Sequence, residues 1–219
     1  MAVKYADVVI ADNKGIQDYV KETYDMPSEL IAYGGDHAQR DVPEAQQLET
    51  LQKYQVKAGE YAVSVCRIEP ENNSHIICEA FAASGKKLVF VGNWERSEYS
   101  RELKKKYSQY RNIRMVDSVY DLDELYALRN QCSCYVHGHS AGGTNPSLVE
   151  AMFFGKPILA FDVVYNRETT ENRAYYFKNS KQLVELLAQK EKDGKPMKEI
   201  AKRRYTWEHV AEQYEALYD

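Results

Sequence analysis

The stretch of this chain best suited to hold a ligand runs from residue 137 to residue 157 and reads HGHSAGGTNPSLVEAMFFGKP. Asn145 followed by Pro146 predicts the N-cap and the first residue of a helix. The loop Gly142-Gly143-Thr144 before it presents backbone N–H groups, and these donors, aided by the helix macrodipole, favour a phosphate or a diphosphate. We therefore predict an anion-binding loop at this point of the chain.

Glu150 lies about one turn inside that predicted helix. A carboxylate there can accept two hydrogen bonds from a vicinal diol such as a ribose. The alternative is a first-turn glutamate that only complements the helix dipole. A diphosphate loop beside a ribose carboxylate favours a nucleotide as the ligand.

The composition excludes some classes of protein. The 219 residues carry a net charge of −4, so the chain offers no strongly basic field for nucleic acid. Four cysteines without a signal peptide indicate a reducing cytoplasm and not a disulfide framework. No apolar run is long enough for a membrane span, while the basic runs 104–106 and 202–204 are either solvated helix faces or contacts for anionic lipid.

Short β-branched runs alternate with helical patterns along most of the chain, which predicts an α/β fold with a parallel sheet covered on both faces. Right-handed crossovers would make it a doubly wound, Rossmann-like domain. The predicted strands are residues 61–66, 87–91, 113–116, 133–137, 157–161 and 174–177.

The first part of the chain stands outside this repeat. A strand at 7–11, a helix at about 13–24 and a strand at 29–33 form a unit of their own, followed by a polar linker. We therefore divide the chain into domains at 1–42 and 43–219. In the linker, Asp36 and His37 either line a cleft or end a turn, and Trp207 is predicted to anchor the last helix in the core.

Ligands of such sheets bind at the carboxyl ends of the strands. Arg67 directly follows a predicted strand, and its guanidinium can bind a phosphate through two hydrogen bonds. The alternative is a surface ion pair with Glu69 or Glu71.

A cluster of Cys132, Cys134, His137 and His139 suggests zinc by residue type alone. Alternation along a strand would place the two cysteines on one face and His137 on the other, which argues against four shared ligands. We predict both cysteines as buried apolar residues and no metal site. Each histidine is either a packed residue or a ligand contact, and His139 is the better candidate for a contact.

In order and spacing, these motifs resemble the donor-binding half of GT-B glycosyltransferases, specifically family 4, over residues 5–219. The resemblance rests on Arg67 with Pro70-Glu71, on LVFVG at 88–92, and on the EAMxxGxP pattern that begins at Glu150. The strings IADNKGI, PENN and HGHSxGGTNPSL are similar to those of bacterial rhamnosyltransferases and their relatives in capsule or cell-wall polysaccharide assembly.

Two positions depart from the wider family. Its pair of glutamates eight positions apart is matched by Glu150, but the first glutamate falls on Gly142. Its lysine five residues after the arginine is replaced by Asn72. Because the rhamnosyltransferase-like subgroup shares both changes, they imply an altered diphosphate and sugar site.

The resemblance implies retaining transfer of a sugar from a nucleotide diphosphate, such as TDP-rhamnose, to a hydroxyl acceptor, without a cofactor or a divalent metal. Electrostatic neutralisation would assist departure of the diphosphate. The implied contacts are Arg67, Gly143, Thr144 and Asn145 for the diphosphate, Glu150 for the ribose, Val119 and Tyr120 for the base, and His139, Ser140 and Gly142 for the donor sugar.

The resemblance also implies a missing partner. In this family an N-terminal domain binds the acceptor and supplies the catalytic histidine, and here only its last strand–helix–strand unit is expected, within residues 1–42. We expect a cytoplasmic fragment that binds nucleotide but transfers no sugar, with unknown catalytic residues. Its acceptor would be a lipid-linked saccharide at the inner membrane surface. A non-catalytic sugar-nucleotide-binding or scaffold module is the alternative, and a GT-B epimerase is a more distant one.

Overall fold

The computed structural model of the protein describes residues 5–218. Residues 1–4 and 219, the outermost residues of the two predicted domains, lie outside the described part. Within residues 5–218, the strands are β1 (Ile10–Ala11), β2 (Glu29–Leu30), β3 (Tyr61–Val65), β4 (Lys87–Val91), β5 (Ile113–Val116), β6 (Cys134–His137), β7 (Ile158–Phe161) and β8 (Tyr175–Phe177).

Ten α-helices connect and follow these strands in the described part of the chain. They are α1 (Lys14–Tyr24), α2 (Glu44–Lys53), α3 (Ser74–Ser84), α4 (Glu98–Tyr107), α5 (Leu122–Asn130), α6 (Pro146–Met152), α7 (Val164–Thr169), α8 (Ser180–Ala188), α9 (Lys195–Arg204) and α10 (Trp207–Glu215). None of the helices in residues 5–218 combines the length and the apolar character that a bilayer crossing requires.

The larger sheet has six parallel strands in the order β5-β4-β3-β6-β7-β8. This is the doubly wound arrangement, and the prediction of a Rossmann-like α/β fold is confirmed. The strand order reverses between β3 and β6, so a crevice opens there at the carboxyl ends of the strands.

Both faces of this sheet are buried, as its parallel topology requires. Alternate side chains point to opposite faces: Val63 and Val89 pack with α5, α6 and α9, whereas Ala62 and Phe90 pack with α3, α4 and α8. The strands therefore read as apolar runs, which is why their positions could be predicted within a residue or two.

Two helices were not predicted, for a physical reason. The buried side of α2 includes the polar Gln47 and Thr50 beside Leu51, and the buried side of α7 consists of Asn166 and Thr169. Hydrophobic periodicity detects a helix by its apolar stripe, and neither helix has a clear one.

The N-terminal strand–helix–strand unit is present but shorter than predicted. Its strands β1 and β2 have two residues each and pair in parallel, apart from the larger sheet. Asn13 caps α1 by accepting from the N–H of Gly15 at 2.9 Å.

The placement of Trp207 differs from the prediction. The residue is 46% exposed and does not anchor α10 in the core. Its ring instead covers Gly34, where an added Cβ would lie 2.5 Å from the indole, and its backbone N–H donates to Asp36 Oδ1 at 2.9 Å. Trp207 therefore joins the last helix to the linker.

Candidate functional site

A cleft of about 410 Å³ lies at the carboxyl ends of β3 and β4, beside α6. It brings together four residues that the sequence predicted for one site: Arg67, Val119, Tyr120 and Glu150. A second cavity, of about 490 Å³, lies at the opposite ends of the strands and contains none of the predicted site residues.

Arg67 follows β3 and its side chain is 61% exposed. Its Nη2 lies 3.9 Å from Glu71 Oε1, so the predicted alternative pairing with Glu71 exists. Exposed ion pairs at such distances stabilise a protein by less than about 1 kcal/mol. The guanidinium can therefore exchange this contact for a stronger bidentate contact with a phosphate.

Two further arginines line the cleft, and the sequence analysis missed both. Arg96 lies at the rim, with its Nε 3.5 Å from Glu69 Oε1. Arg129 is buried on α5, and its Nε has no hydrogen-bond partner among residues 5–218. A helix interior gives no motif for such a residue, so only its position in the fold identifies it.

Glu150 is held by two side chains. Its Oε2 accepts from Arg129 Nη2 at 2.5 Å, and its Oε1 lies 3.3 Å from His37 Nε2. The indole N–H of Trp207 donates to His37 Nδ1 at 3.0 Å, so the neutral imidazole carries its proton on Nε2 and presents it to the carboxylate. Each carboxylate oxygen has a lone pair left for a further hydrogen bond, and Glu150 lines the cleft.

The glycine loop, residues 138–145, enters α6 as predicted. Asn145 Oδ1 accepts from the N–H of Ser147 at 3.0 Å and thereby caps the helix, and Ser147 itself lines the cleft. Gly142 has a φ of +84°, in the region where glycine is favoured. Ser140 donates through both its hydroxyl and its N–H to the Glu71 carbonyl, at 2.9 and 2.8 Å, so its position is fixed.

His139 lies in this loop with a defined hydrogen-bond pattern. The amide of Asn72 donates through Nδ2 to the Arg67 carbonyl at 2.8 Å, which turns its Oδ1 toward His139 Nδ1 at 2.8 Å. His139 therefore donates from Nδ1 and keeps Nε2 as an acceptor near Gly142. Burial lowers the pKa of His139, so its imidazole is neutral at ordinary pH.

His137 is a packed residue, and its ring lies beside that of His139 in the glycine loop, with centroids 6.1 Å apart. Its Nε2 is buried without a hydrogen-bond partner among residues 5–218, and its ring stacks on Tyr135 with centroids 6.3 Å apart. Burial lowers the pKa of His137 to about 3.

Both cysteines of the suspected zinc cluster are buried, as predicted. The prediction that they share a face was wrong, because β6 begins at Cys134 and leaves Cys132 outside the strand, in the core on the other side of the sheet. In the part of the chain that the structure describes, no three His, Cys, Asp or Glu side chains are grouped to hold a metal ion.

The N-terminal unit contacts the glycine loop through Asp12 and Asn13. The Thr144 hydroxyl donates to the Asp12 carbonyl at 2.5 Å and accepts from Asn13 Nδ2 at 3.3 Å. A Cβ added to Gly143 would lie 1.8 Å from Asp12 Oδ1. Burial raises the pKa of Asp12, although the backbone N–H of Thr144 and the Tyr33 hydroxyl act in the opposite direction. The Thr144 N–H, predicted for the diphosphate, thus faces a carboxylate.

Comparison with known families gives two matches. A family model described as glycosyl transferases group 1 matches residues 46–207. A second, described only as a domain of unknown function (DUF1972), matches residues 1–36. No curated protein is significantly similar in sequence to the chain.

Solved structures share the fold over the whole chain. HepE (Alr3699) of Anabaena, with UDP and glucose, superposes with a TM-score of 0.85 at 17% identity over 99% of this chain and 64% of its own. A glycosyltransferase of Rickettsia africae gives 0.83 at 14% over 100% and 64%, and sucrose-phosphate synthase of Thermosynechococcus elongatus gives 0.82 at 20% over 99% and 58%. The chain thus spans less than two thirds of the length of these proteins.

Proposed function

The chain belongs to the group 1 glycosyl transferases, and from this membership we propose that its cleft binds the nucleotide-sugar donor of a GT-B glycosyltransferase. The observation that carries the proposal is the joint placement of Arg67 and Glu150 in one cleft at the reversal of the strand order. A guanidinium and a carboxylate that line one cleft together with the first turn of a helix suit the diphosphate and the ribose of a nucleotide.

We assign the parts of the donor to the parts of the site as follows. Arg67 and the backbone of Asn145 bind the diphosphate, and Glu150 binds the ribose hydroxyls. Gly143 and Thr144, predicted for the diphosphate, face the Asp12 carboxylate and lie beside the sugar instead. Val119 and Tyr120 bind the base, since Tyr120 is 87% exposed at the cleft and can cover a planar ring. The sugar lies at His139, Ser140 and Gly142. HepE was solved with UDP and with UDP-glucose, which supports a nucleotide sugar as the ligand.

The finer parts of the proposal rest on the sequence strings. We propose a retaining, family 4, rhamnosyltransferase-like enzyme of bacterial capsule or cell-wall polysaccharide synthesis, with TDP-rhamnose as donor and a lipid-linked saccharide as acceptor. Residues 1–42 would belong with an acceptor-binding domain and residues 43–219 would form the donor domain. By itself, the chain would bind the donor without transferring the sugar.

Nucleotide titration of the chain tests the donor site. We expect UDP, TDP or GDP at 100 times its dissociation constant to stabilise the fold by about 2.7 kcal/mol, a clear melting shift. In Glu150→Gln, the loss of charged hydrogen bonds to the ribose should weaken that nucleotide about tenfold. The affinities are measured by isothermal titration calorimetry.

The matched control is Glu98→Gln, an exposed glutamate in the first turn of α4, which should bind as the wild type does. Because Glu150 also pairs with Arg129, each variant is compared with its own ligand-free melting temperature. Equal affinity in Glu150→Gln and wild type would show that Glu150 serves the fold only, and no binding of any nucleotide to wild type would refute the donor site.

A further inference from the structure

A carboxylate lies against the glycine loop although the loop has none of its own. Residues 138–149 contain no aspartate and no glutamate. A Cβ on Gly143 would meet Asp12 Oδ1 at 1.8 Å and Asp12 Cγ at 2.6 Å. The Asp12 side chain therefore fills the space in front of Gly143 that a side chain at this position would need.

Several hydrogen bonds fix Asp12 in this place. The Thr144 hydroxyl donates to its carbonyl at 2.5 Å. The neighbouring Asn13 is fully buried and donates from Nδ2 to Thr144 Oγ1 at 3.3 Å and to Glu168 Oε2 at 2.9 Å. The backbone of residues 12 and 13 is thus tied to the loop on one side and to α7 on the other, and Asp12 is half-buried at the loop surface.

The chemistry of a nucleotide sugar decides which part of it can use this carboxylate. A diphosphate offers only acceptors and negative charge, so it is repelled by Asp12. A sugar offers hydroxyl donors. The Asp12 carboxylate interacts with the Thr144 N–H and the Tyr33 hydroxyl and has lone pairs left to accept sugar hydroxyls in strong, charge-assisted hydrogen bonds. The sugar is therefore the part of the donor that gains by lying next to Asp12.

Resting on the donor site proposed above, we propose that Asp12 determines sugar specificity by accepting hydrogen bonds from hydroxyls of the sugar on the bound nucleotide. Sites built to bond a hydroxyl discriminate strongly against ligands without it, because the buried partner is then left unsatisfied. Asp12 thus favours the intact donor over the free nucleoside diphosphate, on which the sugar is absent.

The test compares two affinities for one base. The dissociation constants of UDP and UDP-glucose, TDP and TDP-rhamnose, and GDP and GDP-mannose are measured calorimetrically for wild type and Asp12→Asn. For the base that binds, the dissociation constant of the nucleoside diphosphate is divided by that of the sugar nucleotide. This ratio should fall about tenfold in Asp12→Asn. The affinity for the diphosphate alone should stay the same or rise.

The matched control is Asp18→Asn on α1, whose carboxylate pairs with Lys14 and should leave the ratio unchanged. Gly143→Ala is a second variant, since its Cβ must displace the Asp12 carboxylate, and it should lower the same ratio. An unchanged ratio in a folded Asp12→Asn that still binds diphosphate overturns the role of Asp12 and leaves the donor site standing. An equal gain in affinity for the diphosphate and for the sugar nucleotide would also overturn the role of Asp12, because its carboxylate would then only compete with the diphosphate. Failure of wild type to bind any diphosphate refutes the donor site itself.

Discussion

Trp207, His37 and Glu150 form a chain of contacts in which each group fixes the next. The indole N–H leaves the His37 imidazole only one neutral tautomer that satisfies both neighbours, with its proton directed at the Glu150 carboxylate. Trp207 and His37 thus orient the carboxylate that we propose as the ribose ligand, without contacting the ribose themselves. The members of the chain should therefore act as a unit when they are mutated.

We expect Trp207→Phe, which keeps a ring over Gly34 but removes the donor, to weaken nucleotide binding about threefold to tenfold. His37→Ala should weaken it by a similar factor, and the double variant by no more than the larger single effect. Calorimetric titration of the three proteins forms a double-mutant cycle. Additive effects would contradict the coupling.

At the scale of elements, α6 matters because Asn145 caps it and its first turn lines the cleft. Asn145→Ala removes the N-cap of α6 and should cost about 1 kcal/mol of folding stability. It should also weaken nucleotide binding, because the first turn of α6 presents Ser147 to the cleft.

Asn179 is the matched control for this effect, since it caps α8 by the same type of bond, from the Gln182 N–H at 3.0 Å. Asn179→Ala should lose similar stability in chemical denaturation but bind nucleotide normally. If both variants bound equally well, the cap of α6 would have no role in the site.

The comparison of elements also explains what the sequence can predict. The strands of the large sheet are apolar on both faces, and the cap of α6 is a local motif. Both can therefore be predicted from residues that are close together in the sequence. The contacts of Asp12, His37 and Arg129 join residues far apart in the chain; Asn13 and Thr144, which bond in the same region, are 131 positions apart. No local pattern encodes such pairs, and only the crossovers of the fold bring them together.

At the scale of the whole molecule, burial of His137 makes folding depend on pH. Its pKa is lowered to about 3 in the folded protein and is near 6.5 when unfolded, so between these values the unfolded chain binds one more proton. Stability should therefore rise with pH in this window, by about 1.4 kcal/mol per pH unit, and be lost as the pH falls.

His137→Phe removes this group without adding charge to the core. Urea denaturation from pH 5 to 6.5, above most carboxylate titration, should show a shallower pH dependence in the variant than in wild type. Parallel curves would mean that His137 does not carry the effect.

The contact of Glu150 with His37 of the linker has a reciprocal consequence. The linker is held by the Gly35 N–H, which donates to the Tyr205 carbonyl at 2.8 Å, as well as by His37 and Asp36. Thermodynamic linkage is reciprocal: if an ordered linker strengthens nucleotide binding by some free energy, bound nucleotide stabilises the ordered linker by the same free energy. Nucleotide bound in the cleft should therefore stabilise the segment that joins the N-terminal unit to α2, and a variant that disorders this segment should weaken nucleotide binding by the same factor.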